Sequence, residues 1–252
     1  MSFIDTHAHL DFSEFDNDRE EVIERARLAG VCYIINIGIN KESSQKSLQL
    51  AKKYDFIFAT TSLHPLDVGE EDFDEKFFSE LAKDPLIVAI GETGLDYYHN
   101  SNKEKQKEVF KKLIRIAYQL NKPLILHCRE AEKDLLEILS QEKLPEKKGV
   151  IHCFGKDISL AKKFLDMGFL ISYTGNITYN PSRAISLKDV PLEKIMIETD
   201  CPFLSPLPVR GQRNEPAFLL YIAQKIAEIK RIPLEEVAKV TTENALKLFN
   251  LK

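Results

Sequence analysis

The sequence has no apolar run long enough to cross a bilayer, no CxxC pair and no glycine-rich phosphate loop. A transmembrane helix needs about 20 mostly apolar residues in succession, so we expect no membrane segment. The four cysteines, Cys32, Cys128, Cys153 and Cys201, lie within or at the ends of apolar runs. This placement is typical of buried thiols in a reducing compartment, and it argues against disulfides or a thiolate zinc site.

An excess of positive charge is also missing, because the 252 residues carry a formal net charge of −4 at pH 7. The field of the whole protein therefore does not attract nucleic acid, and a polyanionic substrate needs local groups or metal ions to hold it. Residues 1–5 lack a basic region followed by an apolar one, which predicts a cytoplasmic location. The apolar and charged fractions, 44% and 29%, are typical of one soluble globular domain spanning residues 1–252.

Apolar runs alternate with amphipathic segments along the chain. Residues 31–38 are almost continuously apolar, as in a strand buried on both faces, whereas residues 103–120 carry their apolar side chains on one helical face. After a first strand that ends near His9, the pattern predicts strands at residues 31–38, 56–62, 86–91, 123–126, 149–151, 169–173 and 194–199. It predicts a first helix after the capping cluster at residues 16–18, with apolar residues at helical spacing from Val22 to Ala29 and a stop at Gly30. Further helices are predicted at residues 41–53, 74–82, 103–120, 131–139, 157–167, 216–228 and 244–249.

Strands separated by helical crossovers form a parallel sheet. Eight such units in a chain of 252 residues predict an α/β fold, a single (β/α)8 TIM-type barrel with extra C-terminal helices. A doubly wound open sheet is the alternative. It has less support, because no Gly-x-Gly-x-x-Gly loop follows any predicted strand.

His7 and His9 stand two positions apart at the end of the first strand. Alternate side chains of a strand point to the same side, so both imidazoles can reach one metal ion. Neutral imidazole is a good ligand for divalent transition metals. A His-x-His pair also occurs as ordinary polar surface, so the other strand ends must decide between the two interpretations.

Polar residues end six of the eight predicted strands, and in a barrel these carboxyl ends meet on one face. They are His7 with His9, His64, Glu92, His127, His152 and Asp200. Without His64 the set holds four imidazoles and two carboxylates, which exceeds the three protein ligands of one catalytic zinc. It suits two divalent ions, separated by about 3.5–4 Å and bridged by a carboxylate, that activate a water molecule. Mixed nitrogen and oxygen donors favour Zn²⁺ or Mn²⁺, with Mg²⁺ as a weaker option.

Six short motifs carry these residues in order along the chain. They are Asp5-Thr6-His7-Ala8-His9, Gly91-Glu92-Thr93-Gly94-Leu95-Asp96-Tyr97, His127-Cys128-Arg129-Glu130-Ala131, His152-Cys153-Phe154, Glu198-Thr199-Asp200-Cys201-Pro202 and Arg213-Asn214-Glu215-Pro216. Together they resemble the TatD family of metal-dependent deoxyribonucleases, within the amidohydrolase superfamily.

The resemblance implies a divalent-metal-dependent hydrolase of phosphodiester bonds that acts exonucleolytically on DNA ends or single strands. It implies that one ion is held by His7, His9 and Asp200, the other by His127 and His152, with Glu92 bridging them. Glu92 and Asp200 would be the catalytic residues, and Asp200 would also take a proton from the attacking water. Superfamily relatives often bridge the ions with a carboxylated lysine. Glu92 occupies that strand end here, which favours phosphoester over amide or lactone hydrolysis.

Further residues are candidates for substrate contacts: His64, Asp96, Tyr97, Arg129, Arg213 and Asn214. His64 and Arg129 stand beside ligand positions and suit phosphate, although a salt bridge explains Arg129 equally well. Arg213 and Asn214 precede a helix and suit an anion site or a helix cap. Asp96 suits a role in orienting a ligand histidine or in capping its loop. Tyr97 suits base stacking or loop packing.

Two other functions fit the same barrel. One is a small-molecule amidohydrolase or phosphoesterase, and the other is a metal-dependent deacylase of D-aminoacyl-tRNA, an activity also attached to TatD-like proteins. The sequence leaves the oligomeric state open, with a monomer as one option.

Overall fold

The computed structural model describes residues 1–99 and 102–251, which form eight β-strands and eight α-helices. The strands are β1 (Phe3–Ala8), β2 (Val31–Asn36), β3 (Ile57–Thr61), β4 (Ile87–Asp96), β5 (Leu124–Arg129), β6 (Gly149–Ile151), β7 (Leu170–Tyr173) and β8 (Ile195–Ile197). The helices are α1 (Arg19–Leu28), α2 (Lys41–Lys53), α3 (Glu75–Leu81), α4 (Lys103–Leu120), α5 (Glu132–Gln141), α6 (Ile158–Asp166), α7 (Leu219–Lys230) and α8 (Leu234–Phe249).

The strands follow one another in one eight-stranded sheet in the order of the sequence. A sheet of sequential parallel strands joined by helical crossovers is the topology of a (β/α)8 barrel, so the predicted fold class is confirmed. The extra C-terminal helices are α7 and α8, which both follow β8. No helix in the described ranges combines the length and apolar character needed to cross a bilayer.

The first of two compact units comprises residues 1–36 and 153–252. Strand β1 pairs in parallel with β2, placing Ala8 opposite Asn36. The end of β1 also contacts the segment that follows β8. There, Asp200 N donates to His7 O and His9 N donates to Cys201 O, and the donor–acceptor distance is 2.9 Å in both hydrogen bonds. These backbone hydrogen bonds fix His7 and His9 relative to Asp200.

The second unit comprises residues 37–152. All ten residues of β4 are buried, and β4 pairs in parallel with β5, placing Gly94 opposite His127. A Cβ atom on Gly94, whose φ is +138°, would lie 2.1 Å from His127 O. Glycine is therefore required for the two strands to come this close, which brings the polar residues of β4 beside His127. The prediction of a single domain over residues 1–252 stays a prediction.

Two strands extend further than their apolar runs indicate. Strand β4 continues through Glu92 to Asp96, and β5 continues through His127 to Arg129. The expectation that Glu92 and His127 end their strands is therefore wrong. Hydropathy marks where the apolar side chains stop, but backbone pairing continues wherever the neighbouring strand supplies partners.

The segment between β7 and β8 also departs from simple alternation. Within the described residues it contains only 3₁₀ turns, at Gly175–Thr178, Pro181–Ala184 and Leu192–Lys194. Proline cannot continue an α-helix without losing a backbone hydrogen bond, and Pro181 and Pro191 both lie in this segment. The predicted last helix at 244–249 is only the end of α8, which begins directly after Pro233.

Candidate metal centre

Three donor atoms converge in the first unit. The Nε2 atoms of His7 and His9 lie 3.2 Å apart, as expected for alternate residues of a strand end. Oδ1 of Asp200 lies 3.7 Å from Nε2 of His7 and 3.5 Å from Nε2 of His9. His7 is fully buried and His9 nearly so. The structure thus brings together the three residues predicted to hold one ion.

Buried hydrogen bonds between the ends of β1 and β8 support this arrangement. Asp5 accepts hydrogen bonds from Thr199 N at 2.9 Å and Thr199 Oγ1 at 2.5 Å, and Thr6 Oγ1 donates to Ile197 O at 3.1 Å. Complete burial raises the pKa of Asp5 to about 7, although the hydrogen bonds from Thr199 oppose the shift. These contacts tie the strand that carries His7 to the segment that carries Asp200.

The loop after β8 is held by Asn214. Asp200 itself adopts a left-handed backbone with φ of +57°, a conformation that aspartate tolerates better than most residues. The amide group of Asn214, fully buried, donates to Thr199 O at 2.8 Å and to Phe203 O at 2.6 Å. The two carbonyl groups flank Asp200 in sequence, so Asn214 fixes the turn that presents this carboxylate.

In the second unit, three imidazole rings lie close to one carboxylate oxygen. Glu92 Oε1 lies 2.8 Å from His127 Nδ1, 3.4 Å from His64 Nε2 and 3.4 Å from His152 Nε2. Glu92 is only 4% exposed. The predicted ligands Glu92, His127 and His152 therefore lie together, and the structure adds His64 to their surroundings.

The ring of His127 is oriented by two carboxylates. Its Nε2 lies 3.0 Å from Asp96 Oδ2, and Asp96 also accepts from the backbone N of Tyr98 and His99. Burial would raise the pKa of Asp96, but the hydrogen bonds from His127 and His99 hold it well below its usual value. Because an ionised carboxylate only accepts, His127 Nε2 carries the proton and donates it to Asp96. Burial would lower the pKa of His127, but its bonds to Asp96 and Glu92 outweigh this and raise the pKa.

His64 has a different hydrogen-bonding pattern. Its Nδ1 accepts from Leu66 N at 3.1 Å, so the neutral ring carries its proton on Nε2. Burial lowers the pKa of His64 and favours that neutral form. A protonated Nε2 donates a hydrogen bond and does not bind a metal, so this geometry favours contact with an anion.

The two donor sets fit divalent metal ions. Within the group His7–His9–Asp200 the candidate ligand atoms lie within 4.8 Å of one another, and Glu92 Oε1 lies 2.8 Å from His127 Nδ1 and 3.4 Å from His152 Nε2. Two nitrogens bound to one tetrahedral ion at about 2.0–2.1 Å stand about 3.3 Å apart. The separation of 3.2 Å between the Nε2 atoms of His7 and His9 agrees with this value. Mixed imidazole and carboxylate donors suit Zn²⁺ or Mn²⁺.

Comparison with known proteins identifies the family. The family model described as TatD related DNase matches residues 4–250. The chain belongs to the TatD family.

Among curated relatives, the uncharacterized metal-dependent hydrolase YabD of Bacillus subtilis is 41% identical over 253 residues, covering 98% of both chains. The solved structure of YjjV, a TatD homolog from Escherichia coli, is 30% identical with a TM-score of 0.91, covering 99% of this chain and 98% of that one. A TatD family hydrolase from Entamoeba histolytica is 25% identical with a TM-score of 0.91, covering 100% and 99%. The protein is therefore a TatD-family metal-dependent hydrolase with a (β/α)8 barrel fold.

The aromatic and basic candidates of this TatD-family chain differ in their surroundings. Tyr97 donates its hydroxyl to Asp134 Oδ2 at 2.8 Å, a contact between the residue that follows β4 and the first turn of helix α5. The guanidinium carbon of Arg129 lies 4.3 Å from the ring centroid of Tyr98, and Tyr98 is 58% exposed. Arg129 is exposed too, so its contact with phosphate stays a prediction, and Tyr98 is the more accessible ring for stacking.

Arg213 lies in an ion-pair network of the first unit. Its guanidinium donates to both carboxylate oxygens of Asp18, at 2.8 and 2.7 Å, and its carbon lies 4.5 Å from the ring centroid of Phe15. Arg25 donates to Glu215 in the same network, with Nη2 2.7 Å from Oε2. These contacts join helix α1 to the loop that contains Asn214. The predicted substrate contacts of Arg213 and Asn214 stay predictions.

Several residues with roles at the site were not predicted from the sequence. Asp5 and Thr199 join the strand ends, and Phe12 and Phe203 lie beside His9. A signal for Asp5 existed, because it is a charged residue in an apolar strand two positions before His7 and therefore on the same side. No comparable signal marks Phe203, since an aromatic residue after a strand is usually part of the core.

Proposed function

We propose that this TatD-family protein is a metal-dependent deoxyribonuclease that hydrolyses phosphodiester bonds at DNA ends or in single strands. The observation that carries the proposal is the pair of buried imidazole and carboxylate clusters in a chain that matches the TatD related DNase family over residues 4–250. Glutamate, not lysine, stands at position 92, which favours phosphoester chemistry over the amide and lactone chemistry of lysine-bridged relatives.

The cluster of the first unit would hold one divalent ion, Zn²⁺, Mn²⁺ or Mg²⁺, through His7, His9 and Asp200. Glu92, His127 and His152 would hold a second, with Glu92 as the bridge that the family resemblance implies. Such ions, when bound, lower the pKa of a water molecule and stabilise charge on the phosphate oxygens. The role of Asp96 is to hold His127 through Nε2, which leaves Nδ1 as the ligand atom.

Asp200 is the group we assign to proton transfer. Its Oδ1 faces the imidazoles of His7 and His9, and the Asp200 carboxylate would accept a proton from the attacking water. The hydrogen bond from Asp200 N to His7 O and the Asn214 contacts on either side hold the carboxylate in place. Preorganisation of this kind avoids reorientation of the base during the reaction.

The phosphate would be bound by His64 and Arg129. His64 donates from Nε2, because Leu66 N occupies its Nδ1. Arg129 offers a planar set of donors that suits phosphate oxygens, and its stacking on Tyr98 restricts its position. Arg129 supplies local positive charge, and neutral His64 supplies an N–H donor, in a chain whose net charge is −4.

The direct test is a digestion time course on end-labelled single-stranded and double-stranded DNA with Mg²⁺, Mn²⁺, Zn²⁺ or a chelator. We expect metal-dependent shortening from an end, faster on single strands and absent in the chelator. A parallel panel of nucleotide monoesters, diesters, lactones and dihydropyrimidines tests small-molecule hydrolysis. Release of a D-amino acid from charged tRNA, with the RNA intact, tests deacylation. Turnover in either of these assays, with intact DNA, would contradict the proposal.

A further inference from the structure

We infer that Phe203, supported by Phe12, forms an aromatic surface that stacks on the base of the nucleotide being cleaved. The inference rests on the proposed function, and it assigns Phe203 as a substrate-positioning residue of the same site. Its basis is an exposed aromatic ring that the protein holds beside His9, one of the residues that would bind a metal ion.

The geometry places the two phenyl rings next to the donor cluster. Phe12 stacks on His9 with a centroid distance of 4.7 Å and an interplanar angle of 29°. Phe203 meets both rings edge-on, at 6.1 Å from Phe12 and 6.4 Å from His9. Phe203 is 48% exposed, so much of its ring is available to a ligand, whereas His9 is nearly buried.

The backbone around Phe203 is fixed on both sides. Its N–H donates to Asp200 O at 2.9 Å, and its carbonyl accepts from the amide of Asn214 at 2.6 Å. The ring is therefore part of the same turn that presents Asp200. An exposed aromatic ring on a rigid turn binds a ligand with little loss of conformational entropy.

The position of the Phe203 ring favours a nucleobase as the group that stacks on it. In a nucleotide one sugar separates the phosphate from the base, so a phosphate held beside His9 carries its base to a neighbouring surface. Every base has a π-face, and stacking on aromatic side chains is the usual way to hold single-stranded nucleic acid without reading its sequence. Stacking also needs no positive charge, which agrees with a chain of net charge −4.

The test uses Phe203→Leu, which keeps an apolar side chain and removes the aromatic ring. Oligonucleotides with phosphorothioate linkages, which are hydrolysed slowly, carry 2-aminopurine at the 5′ or 3′ terminus and are titrated with the metal-loaded protein before cleavage becomes significant. We expect wild-type protein to quench the fluorescence at one terminus, because stacking quenches this base, and Phe203→Leu to lose that quenching. The matched control is Tyr118→Leu, because Tyr118 on α4 is 47% exposed and thus as accessible as Phe203.

A second readout compares kcat/KM for an oligonucleotide with a normal terminal base and for one with an abasic terminus. Phe203→Leu should lower the value about tenfold for the normal terminus and leave the abasic substrate unchanged. An equal loss on both substrates, or quenching that survives in Phe203→Leu, would overturn the inference and leave the ring as a packing residue. If wild-type protein cleaves no DNA with any metal, the proposed function fails, and the quenching result alone decides whether Phe203 binds a base.

Discussion

Nε2 of His127 lies 3.0 Å from Asp96 Oδ2, while Nδ1 of the same ring lies 2.8 Å from Glu92 Oε1. Asp96 orients the imidazole through Nε2, and Glu92 lies beside Nδ1, the atom that would bind the metal ion. Strand pairing produces this arrangement, because Asp96 and Glu92 lie on β4 and His127 lies on the adjacent β5. The following predictions test this relationship and the others that form the site.

Replacing Asp96 by alanine should lower metal affinity about 10–100-fold, the usual cost of losing a group that orients a ligand histidine. Competition with a chromophoric chelator measures the affinity directly and does not depend on turnover. Asp134→Ala is the control, because Asp134 accepts from Tyr97 and pairs with Lys107 instead. Wild-type affinity in Asp96→Ala would show that His127 needs no orienting carboxylate.

Glu92→Ala and Asp200→Ala should each reduce DNA hydrolysis by a factor of about 10³, the scale of losing a group that stabilises transition-state charge. The fold should survive, because carboxylates at the mouth of a barrel serve the site more than the core. Initial rates on end-labelled DNA and thermal unfolding followed by circular dichroism check the two statements. Near-wild-type, metal-stimulated activity in either variant would refute the two-ion assignment.

Asn214→Ala should lower both stability and turnover. The carbonyl groups of Thr199, which is buried, and of Phe203, which is partly buried, lose their donor, at a cost of about 1–3 kcal/mol in the free energy of unfolding, and the turn at Asp200 loosens. Asn244→Ala is a matched control, because Asn244 donates to the carbonyl groups of Leu192 and Ile195 at the opposite end of β8. Chemical denaturation and kcat measured on both variants should show a similar loss of stability and a loss of turnover in Asn214→Ala only.

Asp18→Asn should destabilise the protein by about 1 kcal/mol near neutral pH, because Asp18 and Arg213 are about one-third exposed. The hydrogen bond from Arg213 lowers the pKa of Asp18 in the folded state. The stabilisation is therefore present above the ordinary aspartate pKa of about 4 and is lost as pH falls below it. Urea denaturation of both proteins between neutral and acidic pH measures the difference, which should shrink on acidification. A pH-independent difference would mean that the ion pair does not contribute.

DNA binding should depend only weakly on salt. The protein has a net charge of −4, and we expect it to bind one terminus and neutralise few phosphates. A plot of the logarithm of the observed binding constant against the logarithm of the salt concentration should therefore have a slope shallower than about −2 for single strands. Fluorescence anisotropy in a chelator at several salt concentrations gives the slope. A steep slope, which requires neutralisation of many phosphates, would point to a basic surface that coats the strand.

The sequence determined the order of strands and helices well. Helices α2 and α4 begin and end where the apolar periodicity predicts, at 41–53 and 103–120. Periodicity is reliable there because both segments are amphipathic and bounded by polar residues. It misplaced the end of β4, since Glu92 and Asp96 are polar residues inside a strand whose backbone pairing continues.

The sequence by itself also determined which residue types the site contains, because imidazoles and carboxylates after apolar strands are uncommon unless they serve a ligand. Only the tertiary structure decided which contacts they make. The tautomers of His64 and His127, the Asn214 bridge across the Asp200 turn and the position of Phe203 beside His9 all depend on atoms from segments distant in sequence. Local periodicity reports only which side of an element a residue faces, whereas a hydrogen bond requires both partners to be placed within a fraction of an ångström by the packing of the whole unit.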